Sequence, residues 1–283
     1  MSGNRTARER IARDTLRVLE EGSYVAPNGA RIDLSAMLAR CFGGTRQFDA
    51  DAVGQMIEAQ RGLVGTCATR IEVENETTLA GLAALLAQGD GPVAVLNFAS
   101  AKHPGGGFLG GSQAQEESLA RSSALYASLS RCEAFYDRHR ASSSLLYSDA
   151  VILSPDCPVF RNDDGTLLDV PRAASFLTCA APNAGAIAQN RPDALPRIPS
   201  AFHRRIEGVL ALAADSGHRR LVLGAWGCGV FRNDPGMVAT TFADHLRRGA
   251  WQGRFETIRF SVFDASGDRA TFEAFRRALA PSG

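Results

Sequence analysis

At 283 residues and 45% hydrophobic content, the chain is long enough to bury a sizeable core, as one large domain or two small ones. Its 31 basic side chains balance 30 acidic ones, so no overall field draws it to nucleic acid or an anionic membrane, and a polyanion would have to be gripped locally. No run approaches the roughly 18 apolar residues of a membrane span and Met1–Arg10 lacks an apolar secretory core, so a cytoplasmic location is expected.

In chain order, residues 5–21 read as a helix, with Ala12, Leu16 and Leu19 on one face and Gly22 placed as a C′ glycine. Pro27-Asn28-Gly29-Ala30 makes a turn between two short extended pieces, and Gly43-Gly44 interrupts the chain before a helix around 48–60. Residues 70–74 alternate like a half-exposed strand, and Thr77 or Thr78 caps a helix running through Leu85 and Leu86. Residues 93–98 are almost wholly apolar, as in a central strand covered on both faces. Leu125, Leu129, Cys132 and Tyr136 follow helical spacing, which puts the carboxylates before them at or near a helix N-terminus. Strands are expected at 150–154 and 175–180, separated by an excursion at 155–172 with a hairpin around Asp163-Asp164-Gly165. A helix marked by Phe202, Ile206, Val209 and Ala213, a strand at 221–223, a helix through Val238, Phe242 and Leu246 and a last strand at 258–263 complete the pattern. Alternating strands and helices predict an α/β fold, a three-layer α/β/α sandwich.

Two segments carry chemistry. In the first, five of the seven residues 105–111 are glycine, and Gln115, Glu116 and Glu117 follow closely. Bare backbone lets N–H groups approach a ligand, and the adjacent carboxylates supply a general acid and a hydrogen-bonding partner, enough to cleave a glycosidic bond without a metal. Gly105-x-Gly107-x-x-Gly110 also satisfies the dinucleotide fingerprint, but the glycines run on to Gly111 and positions 125–136 are helical where a second strand is required. The second segment, Gly224-Ala225-Trp226-Gly227-Cys228-Gly229-Val230-Phe231, lies between a strand and a helix starting near Pro235, the setting of a backbone anion site. The six cysteines show no C-x-x-C pair and the five histidines no metal-ligand spacing, so free thiols and no metal or cofactor are expected. Lys102 is the only lysine, an arginine bias that suggests a GC-rich bacterial genome.

Gly105-Gly106-Gly107 followed by Gln115-Glu116-Glu117 resembles the signature of poly(ADP-ribose) glycohydrolases. The 221–235 segment resembles the strand and diphosphate loop of a macrodomain, and with residues 93–99 it points to the microbial-type branch, over roughly residues 70–265. The resemblance implies a macrodomain-like fold with a mixed central sheet, formed by residues 66–283, and a mainly helical N-terminal extension, 1–65, packed on it as one unit. It implies Glu117 as the acid and Glu116 as its ligand-positioning partner, with Gln115 beside them. Asn97 would bind a ribose, Phe231 would pack on the adenosine part, and Ala99, Gly105, Gly106, Gly107 and Phe108 would line the ligand with residues 224–231. The implied partners are poly(ADP-ribose), ADP-ribose as product and ADP-ribosylated proteins as carriers, acted on by a monomer, mainly from the polymer end. A mono-ADP-ribosyl hydrolase or a non-catalytic ADP-ribose reader would share much of this sequence, although a reader would not need Gln115-Glu116-Glu117.

Overall fold

The computed structural model describes residues 2–280. Helix α1 (Ser2–Glu21) leads into a small hairpin of β1 (Ser23–Val25) and β2 (Arg31–Asp33), then α2 (Ser35–Gly44), β3 (Arg46–Phe48) and α3 (Ala50–Arg61). Next come β4 (Arg70–Glu74), α4 (Thr78–Ala87), β5 (Val93–Phe98), α5 (Gln115–Ser122), α6 (Leu125–Leu129) and α7 (Glu133–Ala141). The chain closes with β6 (Val151–Arg161), β7 (Leu167–Cys179), α8 (Ala184–Asn190), α9 (Ile198–Asp215), β8 (Arg220–Leu223), α10 (Pro235–Arg247), β9 (Thr257–Ser261) and α11 (Ala270–Ala278).

Seven strands form one mixed sheet in the order β3-β6-β7-β5-β8-β9-β4, with β5 at its centre. The neighbours β7 and β8 both run parallel to β5, whereas β6 is antiparallel to β7 and to β3. The period-2 alternation of a strand divides β5 between two cores. Ala94 and Leu96 pack with α3, α9, α10 and α11 through Val53, Phe202, Phe242 and Phe275. Val93 and Val95 pack on the other face with α2, α4 and α5–α7 through Leu38, Leu82, Leu119 and Phe135. The next residue on that second face is Asn97, so the apolar stripe becomes polar where the strand ends.

Helices are layered on both faces of the sheet, as expected of the α/β/α sandwich. The helix expected across 125–136 is interrupted between α6 and α7, and a second break separates it from α5. Ser123 is extended (φ −150°, ψ 179°), bridges to Val159 and accepts from Leu125 N, which ends α5 and restarts the chain as α6. Leu125, Leu129, Cys132 and Tyr136 nevertheless share one core, so the periodicity located the buried face although the helix axis is interrupted. The hairpin expected around Asp163-Asp164-Gly165 is present with its tip at Asn162–Thr166, but its arms are not an excursion: they continue β6 and β7 as one long antiparallel pair. Pro155 is accommodated because the register shifts between Ser154 and Cys157, a bulge in which Asp156 has φ 45°. Gly43 and Gly44 lie in the last turn of α2 rather than between elements.

Thr77 is the N-cap of α4, its hydroxyl accepting from Ala80 N at 3.1 Å. Since α4 lies over the central strand, Thr77→Ala is expected to lower stability by about 1 kcal/mol. A urea midpoint equal to that of the parent would remove the cap from the account.

Candidate active site

Strands β5 and β8 are parallel neighbours, so the segments leaving their C-terminal ends emerge side by side, where ligands of open α/β sheets bind. The contact is close: a Cβ on Gly224 would stand 3.0 Å from the Phe98 ring and 2.5 Å from Ser261 O.

Helix α5 begins at Gln115, and successive helical side chains diverge by about 100°, so the three polar residues take three directions. Gln115 turns to the edge of β5, its Oε1 accepting from Phe98 N at 2.8 Å and its Nε2 donating to Leu96 O at 2.8 Å. Pairing of β5 with β8 stops at Val95, and the amide continues the ladder where β8 departs. Gln115 therefore positions α5, and its polar atoms are engaged by the strand.

Glu116 turns inward and is 3% exposed. It accepts from Ser100 N at 2.6 Å and from Asn97 Nδ2 at 3.2 Å. Burial pushes its carboxyl up to about 8, with the charge of Glu117 adding to the rise while the Ser100 N–H, the Asn97 amide and the Gly105 N–H oppose it. Near neutral pH the Glu116 carboxyl therefore stays largely protonated. Asn97 also donates to Thr178 Oγ1 at 3.2 Å, and its buried Oδ1 has no protein partner.

Glu117 is half-buried and faces the glycine loop, its Oε1 accepting from Gly107 N at 3.0 Å. A Cβ on Gly106 would stand 2.4 Å from that oxygen, and Gly106 has φ 60°, so no other residue fits without moving the carboxylate. The loop does not present the open row of amides expected from its composition. Gly106 N donates to His103 O, Phe108 N to Gly105 O, Gly110 N to Gly107 O and Gly111 N to Phe108 O. These N–H groups close turns, and the loop's clearest chemical feature is the seat it gives Glu117. Phe108 is fully buried against Tyr126 with ring centroids 4.7 Å apart, so its side chain belongs to the packing beneath the loop.

The amides that remain open are in the second loop. Among the described residues, the N–H groups of Gly227, Gly229, Val230 and Phe231 have no protein acceptor, whereas Trp226 N and Cys228 N close local turns on Gly224 O and Ala225 O. Gly227 has φ 72°, and a Cβ there would stand 2.6 Å from the Ala181 Cβ and 2.7 Å from the Asn233 amide. Asn233 holds the loop from behind, donating to Gly227 O at 2.9 Å and Pro182 O at 2.8 Å. Trp226 points into the core, donating from its indole to Cys179 O at 3.2 Å and packing edge-on against Phe202, so any ligand contact at Trp226 or Ala225 comes from backbone or rim rather than the indole. Burial pushes the Cys228 thiol up to about 12, which excludes a thiolate nucleophile near neutral pH. Ala99 N is tied to Cys179 O at 3.3 Å.

Tyr147 joins the rim without having been read from sequence. It sits at φ 61° with its ring centroid 6.2 Å from that of Phe231. The fully buried Arg205 donates to Leu146 O, Ala180 O and Asp149 Oδ1, and this over-determination fixes the turn. No local motif announces a contact across so many residues. Ser100, which holds Glu116 through its backbone, was likewise silent.

Among the described residues, no group of three or more His, Cys, Asp or Glu side chains is arranged to hold a metal ion. Of the acidic residues outside the loops, Asp49 caps α3, Asp163 accepts from Thr77, and Asp164 accepts from Thr166.

A layered sheet with a seated carboxylate loop and an open amide loop at adjacent strand ends defines a macrodomain-like protein with a two-carboxylate site. The family model of the microbial-type PARG catalytic domain matches residues 12–162. A crystal structure of poly(ADP-ribose) glycohydrolase from Thermomonospora curvata superposes with a TM-score of 0.93 at 45% identity, covering 97% of this chain and 100% of that one. Another from that organism, bound to the inhibitor ADP-HPD, gives 0.90 at the same identity and coverage. The Deinococcus radiodurans glycohydrolase in complex with ADP-ribose gives 0.83 at 47% identity, covering 88% of this chain and 99% of that one. No curated protein matches significantly. The chain belongs to the microbial-type poly(ADP-ribose) glycohydrolase family.

The buried carboxyl makes stability pH-dependent with a definite sign. The folded state holds the Glu116 proton to higher pH than the unfolded chain does, so its stabilising contribution is complete below the ordinary carboxyl value of 4.5 and is lost as pH rises through about 8. Glu116→Gln cannot ionise, so its urea midpoint should fall less than the parent's between about pH 5 and pH 9. Parallel curves for the two proteins would contradict the raised value.

Proposed function

We propose that this chain hydrolyses the ribose–ribose O-glycosidic bonds of poly(ADP-ribose), releasing ADP-ribose mainly from the chain end, with Glu117 as general acid and base. The observation that carries the reading is Glu117 held by Gly107 N–H at 3.0 Å while its neighbour Glu116 is buried behind it. A protein that only binds ADP-ribose has no use for that arrangement. The inhibitor- and ADP-ribose-bound relatives support the substrate class.

In this reading the distal ADP-ribose lies across the ends of β5 and β8. The open amides of Gly227, Gly229, Val230 and Phe231 take the diphosphate, and the Phe231 ring packs against the nucleoside part. The unpartnered Asn97 Oδ1 accepts from a ribose hydroxyl, and Glu116 positions the same sugar. Protonated Glu117 gives its proton to the departing ribose oxygen as the C–O bond breaks and the remaining ribose becomes oxocarbenium-like. As a carboxylate it then takes a proton from the water that attacks the anomeric carbon, which restores the acid and yields ADP-ribose. Helix α1 lies against the far end of the glycine loop, which supports restriction of the cleft on that side and action from the polymer end. The remaining assignments are a monomer in a bacterial cytoplasm with ADP-ribosylated proteins as carriers; no helix of the described residues is long and apolar enough to cross a membrane.

Incubation with poly(ADP-ribose) and, separately, with a mono-ADP-ribosylated protein should release free ADP-ribose from the polymer. Release from the mono-modified protein alone would reassign the substrate. Glu117→Gln keeps the shape but cannot act as the acid, so turnover should fall by about 10²–10⁴-fold while the ADP-ribose dissociation constant from calorimetry stays near the parent's. Turnover close to that of the parent would end the assignment.

Hydrolysis is expected to continue after exhaustive chelation, because Asp49, Asp163 and Asp164 are engaged away from the two loops. Loss of turnover in EDTA with recovery in Mg²⁺, the fold remaining intact, would show that Glu117 does not act alone.

A further inference from the structure

The first turns of α1 make contacts that the chemistry above leaves unused. Arg5 Nε donates to Gly110 O at 2.8 Å, and Arg8 Nε donates to Gly111 O at 2.7 Å. From α5, Arg121 Nη1 donates to Ser112 O at 2.8 Å. Three guanidinium groups thus hold three successive carbonyls at the exit of the glycine loop. The approach is intimate: a Cβ on Gly111 would stand 2.6 Å from Arg5 O and 2.9 Å from Arg5 Cγ. Further along α1, Thr15 donates from its hydroxyl to Arg121 O at 2.6 Å, joining the two helices that supply the arginines.

These carbonyls are one peptide removed from the catalytic carboxylate. Gly110 N and Ser112 N both donate to Gly107 O at 3.1 Å, and the N–H of Gly107 holds Glu117 Oε1. The path from α1 to the acid therefore runs through backbone: arginine to the 110–112 carbonyls, the Gly110 and Ser112 N–H groups to Gly107 O, and Gly107 N–H to Glu117. Bringing Arg8 close to the buried Arg121 has an electrostatic cost, since burial and then the Arg8 charge push Arg121 down to about 10, against the opposing charge of Glu117. A merely solvated helix face would not gather cations there, whereas charge-assisted bonds to carbonyls offset the repulsion.

We propose that Arg5 and Arg8 are positioning residues for the reaction, so that α1 is part of the catalytic apparatus and fixes the Gly107 peptide that orients Glu117. The proposal rests on the reading of Glu117 as the acid. It places the effect in turnover, because the open amides that would receive the diphosphate belong to the other loop.

The test uses the full chain with Arg5→Ala/Arg8→Ala together, Arg8→Lys, and Gly111→Ala, which disturbs the same contact from the loop side. For the double variant kcat should fall by about 10–10²-fold, with KM for the polymer and the calorimetric Kd for ADP-ribose within about twofold of the parent. Gly111→Ala should fall in the same direction, and Arg8→Lys should lie between the parent and the double variant. Hydrogen exchange of the 104–113 backbone should accelerate by about tenfold in the double variant. Unchanged kcat with unchanged exchange overturns the proposal. So does a rise in KM and Kd at constant kcat, which would make the arginines polymer contacts, or a joint loss of kcat, affinity and thermal stability, which would make them structural only. If the parent released no ADP-ribose from the polymer, the glycohydrolase reading would fail, while the exchange measurement would still decide whether α1 holds the loop.

Discussion

The site depends on burying one of two adjacent carboxylates so that the other can be used. Two ionised groups so close together would repel each other. Placing Glu116 under the end of β5 keeps its proton near neutral pH and leaves Glu117 in the cleft. This separation needs no distance in sequence, because a helix that begins at Gln115 sends consecutive side chains to the strand edge, the protein interior and the glycine loop in turn.

The same economy divides the two glycine-rich segments. In the first, close turns use up the N–H groups of Gly106, Phe108, Gly110 and Gly111, and the glycines serve close approach to Glu117 and α1. In the second, the turns use only Trp226 N and Cys228 N nearby, and successive amides from Gly229 to Phe231 remain open for an anion. One loop seats a carboxylate and the other offers a surface of fixed partial positive charge. Composition alone makes them look alike.

Most of the fold was legible because β4, β5, α4 and α10 have local signatures: alternation, an apolar run, a threonine cap and a helical stripe. Elements defined by distant pairing were not. The three residues of β3 have no signature and exist through Val151–Leu153 of β6, and Ser123 breaks a good helical pattern because it meets Val159. At the site, the motif residues were readable and their environments were not. Nothing local in Gln115 says that it completes a ladder abandoned by β8, and nothing in Trp226 says that its ring points away from the loop. Asn97 was named through the family resemblance, since an asparagine at the end of an apolar strand could equally cap the turn; that its Oδ1 is buried without a protein partner is visible only in the structure.

Both loops are fixed from behind by side chains remote in sequence. Arg5, Arg8 and Arg121 hold the first, while Asn233 braces the second and Arg205 fixes the neighbouring turn that sets Tyr147 beside Phe231. Each support bonds mainly to backbone carbonyls, so it constrains the path of the loop and leaves the face toward the cleft free. A glycine-rich segment would otherwise sample many conformations, and a carboxylate displaced by about 1 Å loses much of its catalytic value. The freedom that lets these loops approach a ligand therefore requires an outer frame, and in this chain arginine supplies much of it because a planar, permanently charged donor can hold a carbonyl even where burial is deep.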